Sequence, residues 1–158
     1  MNIRIKPWAV ALMISLTALA AQASSFKQLD KASAKQLLDV ANYKKPTVVV
    51  LWSSDCGHCK RNLAMLQDLI KRDKTLHVVT VAVEPETAAL APILDRNNMP
   101  ATQRYAYGHD NPDALAYALD PNWAGELPRT YLFNGVGGKQ ALSGVLSPKM
   151  VETALKAP

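Results

Sequence analysis

The sequence predicts an α/β domain with a mixed central sheet flanked by helices. Three observations carry this. Thr47–Trp52 (TVVVLW) and residues 76–83 (LHVVTVAV) are β-branched apolar runs of strand length, suited to strands buried on both faces. A helical pattern lies between them, giving a strand–helix–strand unit. Further on, RTYLF and KQALSG flank the turn NGVGG, which reads as a hairpin.

Each element follows from local chemistry. Leu37, Leu38 and Ala41 lie at helical spacing, with Ser33 as a candidate N-cap, so a helix is predicted to about Tyr43, where Pro46 stops the pattern. After TVVVLW comes the polar turn SSDC. A helix then runs from about Gly57 to Lys71, its apolar stripe formed by Leu63, Leu66, Leu69 and Ile70. Pro85 ends the second strand. ETAALAPILDRNN reads as a helix that Pro92 kinks or divides, and MPATQRYAY as extended chain. NPDALAYAL has Asn111 as cap and Pro112 at the first helical position. DPNWAGELP is a loop. SPKMVETALKA closes the chain as a helix capped by Ser147.

The 158 residues suit one domain, and 49% hydrophobic with 20% charged residues marks a folded chain. The net charge is +5, but basic and acidic residues are interleaved without a stripe, which argues against nucleic-acid binding. Arg4 and Lys6, the apolar run WAVALMISLTALA and the AQA that follows have the order of a secretory signal peptide. The predicted division is a leader over residues 1–23 and one domain over residues 24–158. Without Arg4 and Lys6 the balance is 16 basic against 13 acidic residues. The expected location is the periplasm, where disulfides persist. Membrane association follows only if the leader is retained.

The chain has two cysteines, Cys56 and Cys59, in the stretch WSSDCGHCKRNLAML. As a structural staple the pair would close a very short loop and constrain little of the unfolded chain. As a metal site it lacks a second pair of ligands, since His77 and His109 are distant in sequence. Redox exchange fits best. Cysteines three apart on the first turn of a helix are close enough to bond. Cys56, at the positive end of the helix, is stabilised as a thiolate and is the expected attacking sulfur. Cys59, one turn further in, is the expected resolving sulfur, and His58 can add charge nearby.

VVVLWSSDCGHC followed by a long helix resembles the thioredoxin-like fold. GELPRTYLF resembles that family's cis-proline segment, and GVLSPKMVETAL its last strand-to-helix passage. The residues between Val83 and Leu127 resemble the helical insert, before the cis-proline strand, of the secreted TlpA-like thiol–disulfide reductases. The resemblance implies a cis Pro128 facing a Cys56–Cys59 disulfide, and backbone pairing of Leu127 with a substrate strand. It also implies a substrate-binding region made by Leu127, Gly57 and Trp52, with Trp52 packed beneath the active site. Tyr105, Tyr107, Tyr117 and Trp123 of the insert are expected mostly to pack.

The pattern departs from the family in three places. Thioredoxins carry a buried Asp six residues before the first cysteine, and that position is Val50. A glutamate near the start of the insert takes this role in TlpA-like proteins, which points to Glu84 or Glu86, with Glu86 preferred. Asp55 stands where the family usually has an aromatic. The dipeptide Gly57-His58 is that of protein disulfide isomerase, whose couple lies at roughly −180 mV against −270 mV for thioredoxin.

The implied activity is that of a monomeric periplasmic protein thiol:disulfide oxidoreductase, a cofactor-free and metal-free enzyme that reduces disulfides. Its partners would be disulfide-bearing or dithiol proteins, the haem-binding cysteines of c-type cytochromes among the candidates. A membrane thiol–disulfide electron donor would restore the dithiol. Two alternatives stay open: a disulfide oxidase or isomerase with an oxidising poise, and a copper or zinc carrier using Cys56, Cys59 and His58.

Overall fold

The computed structural model describes residues 25–157, so the predicted leader over residues 1–23 lies outside them. The strands are β1 (Lys27–Leu29), β2 (Thr47–Trp52), β3 (His77–Pro85), β4 (Arg104–Tyr107), β5 (Arg129–Phe133) and β6 (Lys139–Ser143). The helices are α1 (Lys31–Leu37), α2 (Gly57–Arg72), α3 (Leu90–Arg96), α4 (Pro112–Leu119) and α5 (Pro148–Lys156). One six-stranded sheet runs in the order β1-β4-β3-β2-β5-β6. β1, β4, β3 and β2 pair in parallel, whereas β5 is antiparallel to both β2 and β6. The mixed sheet predicted from the sequence is therefore present.

All six residues of β2 are buried. Because side chains alternate along a strand, β2 feeds two cores. Val48, Val50 and Trp52 join Leu63, Leu66, Leu90, Leu94 and Val151 on the face covered by α2, α3 and α5. Val49 and Leu51 join Leu37, Leu115, Leu119 and Phe133 on the face covered by α1 and α4. An unalternating apolar run is what a strand covered on both sides requires.

Three local expectations are corrected. The first helix is capped by Asp30, not Ser33; Ser33 sits three residues in and returns a bond to the Asp30 backbone, a reciprocal pair worth about 1 kcal/mol. That helix stops at Leu37, and a 3₁₀ turn over Val40–Asn42 follows. Pro92 neither kinks nor divides α3, because the helix starts at Leu90 and proline is tolerated in a first turn. The stretch MPATQRYAY, read from the sequence as extended chain, is extended in part. It contains β4, which supplies the docking edge for β1, a strand too short to show a sequence pattern.

Candidate functional site

The site is built where β2 ends. Parallel pairing sets Trp52 beside Ala82, and antiparallel pairing sets Leu51 beside Arg129. The ends of β2 and β3 and the start of β5 thus meet at one edge of the sheet. Cys56 follows β2 by a short turn and Pro128 directly precedes β5. The Leu127–Pro128 peptide bond is cis, and Pro128 is buried.

Cys56 is the N-cap of α2. Its Sγ accepts from the backbone N–H of Cys59 at 3.1 Å, and the two sulfurs form a disulfide with a Cα–Cα distance of 5.2 Å. An N–H aimed at the first sulfur, reinforced by the helix dipole, stabilises a thiolate there once the bond is reduced. Cys59 has no exposed surface, whereas Cys56 is only partly covered. Only Cys56 can meet an incoming protein. Gly57 is exposed with open space around it, so nothing crowds the approach.

His58 is exposed, and its Nδ1 accepts from Arg61, which can only donate. Asp55 is exposed to solvent. Leu127 is partly buried and touches both cores. Trp52 lies wholly inside, in the same core as Cys59, so it cannot touch a docked substrate; its place is beneath the site. Val50 leaves no titratable group at the position it occupies, lying between Thr80 and Thr130 in register. Of the insert aromatics, Tyr107 and Trp123 are buried and Tyr117 is exposed.

Glu86 and Glu84, the two candidate proton acceptors, make different contacts. Glu86 turns to the start of the described chain, accepting from Ser25 N and Oγ at 3.1 and 3.2 Å. Glu84 instead grips the cysteine turn: its carboxylate accepts from Ser54 N at 2.5 Å and from Ser54 Oγ at 3.1 Å. Ser54 is two residues before Cys56. The register of β3 against β4 shifts between Ala82 and Pro85, an irregularity of the kind that re-aims side chains.

Two features escaped sequence reasoning. Arg129, next to Pro128, is held by Asp120 at 3.0 Å and by Ser143 Oγ at 2.9 Å, and Tyr131 OH donates to the same Asp120 oxygen at 2.9 Å. Burial pushes the Asp120 carboxyl up, but the Asn122 N–H, the Tyr131 hydroxyl and the Arg129 guanidinium outweigh it and hold it below its ordinary value. This network joins the end of α4 to the Pro128 segment. The second feature is Asn62, a buried polar residue inside the apolar stripe of α2. Its position one turn after Cys59 was the one sequence signal that could have found it.

A cleft of about 510 Å³ opens against Tyr43, Thr47 and His77, at the opposite end of β2 and β3 from the cysteines. It is separate from the redox pair. No helix among the described residues is long and apolar enough to cross a membrane.

No protein-family model and no curated protein matches the sequence. Solved structures do match. A secreted Mycobacterium tuberculosis disulfide oxidoreductase homologous to E. coli DsbE superposes with a TM-score of 0.56 at 14% identity, over 75% of this chain and 85% of that one. A thioredoxin-like protein in its oxidised form gives 0.52 at 20% identity, over 82% of each chain. A thioredoxin-related protein from Neisseria meningitidis serogroup B gives 0.52 at 20% identity, over 70% of this chain and 82% of that one. Likeness at such low identity speaks for architecture, and with the strand order it shows that the chain has the thioredoxin-like fold.

Proposed function

We propose that this protein is a secreted thiol–disulfide oxidoreductase that reduces disulfides of other proteins in the periplasm. The observation that carries the reading is the asymmetry of the pair: a reachable Cys56 at a helix N-terminus, bonded to a fully buried Cys59. The match to a secreted disulfide oxidoreductase supports it.

In the reduced protein, the Cys56 thiolate attacks one sulfur of a substrate disulfide held beside Pro128. The substrate S–S bond breaks and its far sulfur leaves as a thiolate. Cys59 then gives up its proton, attacks the Cys56 sulfur and expels the second substrate thiolate. Two electrons pass to the substrate, and the Cys56–Cys59 disulfide remains. Glu84, fixed on Ser54 at the cysteine turn, is the nearby carboxylate that takes the Cys59 proton. A membrane dithiol donor returns the two electrons and the leader directs export. The open surface at Cys56 and Gly57 suits a protein substrate.

The Gly57-His58 dipeptide favours a second reading, in which an oxidising couple runs the same steps backwards as an oxidase or isomerase. A metal carrier using Cys56, Cys59 and His58 is the alternative of another class, and it predicts tight stoichiometric binding of copper(I) or zinc by the reduced protein with little disulfide reduction.

The test is dithiothreitol-driven reduction of insulin, followed by precipitation of its free chain. The wild-type protein is expected to accelerate it, and Cys56→Ser to proceed at the uncatalysed rate. Wild-type activity in Cys56→Ser would contradict the assignment.

A further inference from the structure

Asn62 is 1% exposed and lies on the buried face of α2, one turn beyond Cys59. Both ends of its amide are committed. Nδ2 donates to the carbonyl of Gly144 at 3.0 Å, and Oδ1 accepts from the N–H of Leu146 at 3.0 Å. One partner is a carbonyl and the other an N–H, so the amide orientation is fixed by what it touches. The same residue, Gly144, reaches the other way. Its N–H donates to the carbonyl of Pro128 at 2.9 Å. Gly144 takes a left-handed backbone (φ +86°), which glycine adopts without strain.

Two of these bonds make a continuous path: the helix that carries both cysteines, then Gly144, then Pro128. Nothing in hydrophobic packing demands a polar side chain there. The residues around Asn62 on this face, Cys59, Leu63 and Leu66, are apolar or sulfur-bearing. A buried amide in such a setting persists because its partners need it. We infer that Asn62 is a positioning residue for disulfide exchange: through Gly144 it sets where the Pro128 segment presents a protein substrate relative to Cys56. This rests on the exchange reading above and deepens it.

The consequence is selective. A protein disulfide is held by the Pro128 segment while Cys56 attacks, so its rate depends on the relative placement of the two. A small disulfide needs only access to the Cys56 sulfur. Losing the Asn62 clamp should therefore penalise the first and spare the second.

The experiment compares wild type with Asn62→Leu, which keeps similar volume and makes neither bond. Asn62→Asp, which keeps the bond from Leu146 and loses the donor to Gly144, serves if the leucine variant does not fold. Two readouts are taken. One is kcat/KM of the reduced protein towards insulin and towards 5,5′-dithiobis(2-nitrobenzoate). The other is hydrogen exchange at the Gly144 amide. The expected result is a fall of about tenfold with insulin, a change of no more than about twofold with the small disulfide, and faster exchange at Gly144. Parallel loss with both disulfides would show a merely structural role and overturn the inference. So would unchanged insulin kinetics or unchanged Gly144 exchange. A wild-type protein that reduces neither disulfide would overturn the exchange reading and this role together. An active wild type with indistinguishable variants overturns the positioning role alone.

Discussion

Replacing Cys59 with serine is expected to turn the protein from a catalyst into a trap. The Cys59→Ser protein keeps the partly exposed attacking sulfur and loses the buried one that releases product. A covalent mixed disulfide with the substrate should accumulate, visible as a thiol-sensitive band on a non-reducing gel and as the summed mass in mass spectrometry. Turnover should fall by on the order of 10³-fold or more, towards the background of solution thiols. Cys56→Ser should lose turnover to the same degree and trap nothing, because Cys59 has no surface with which to meet a protein. The reverse pattern, trapping through Cys59 in Cys56→Ser, would invert the assignment of the two sulfurs.

The second large effect is on stability. Asp120→Ala leaves the Arg129 guanidinium, whose side chain is 15% exposed, without its principal carboxylate. Glu126 stays near at 3.5 Å and is 46% exposed, so it screens only part of the loss. The expected cost is roughly 2–3 kcal/mol, at or below the lower end for a fully buried pair, or about 10 °C in Tm. Its pH dependence has a definite sign. The Asp120 carboxyl titrates lower in the folded protein than its ordinary 3.8. Its stabilisation is therefore fully present above about pH 4 and is lost as pH falls through the folded-state value. Denaturation curves of the two proteins should lie apart at neutral pH and draw together in acid. A gap independent of pH would mean that the Asp120 charge contributes nothing. Because Arg129 adjoins Pro128, the same change loosens the segment on which a substrate is proposed to dock.

What was legible in the sequence had local causes. TVVVLW has the bounds of β2, since a strand covered on both faces must be apolar throughout. Asn111 with Pro112, and Ser147 with Pro148, marked the starts of α4 and α5, because the cap and the first helical position lie side by side in the chain. The cysteine spacing placed the redox pair for the same reason. Where the answer depended on tertiary pairing, the sequence was silent. β1 exists because β4 offers it an edge, and three residues carry no periodicity. Ser33 and Asp30 are both good caps, and the choice between them lay in where the chain leaves β1. Glu84 and Glu86 are equivalent as text. Contacts with Ser54 and Ser25, residues far from them in the chain, tell them apart. Asp120 and Arg129 are separated by a loop whose path brings them together. Asn62 was visible as a polar interruption of an apolar stripe, but its meaning required Gly144 and Leu146, more than eighty residues later.

Cys56 and Cys59 are proposed to form a reversible redox couple poised to give electrons to other proteins. The most direct measurement is the reduction potential of the pair, by equilibration in dithiothreitol or glutathione buffers and alkylation of the free thiols. A single two-electron transition is expected near the thioredoxin value, about −270 mV, or below it. A transition near −180 mV or above would contradict the reducing direction and leave an oxidase or isomerase tuned by His58. A pair that does not cycle would contradict the exchange mechanism itself.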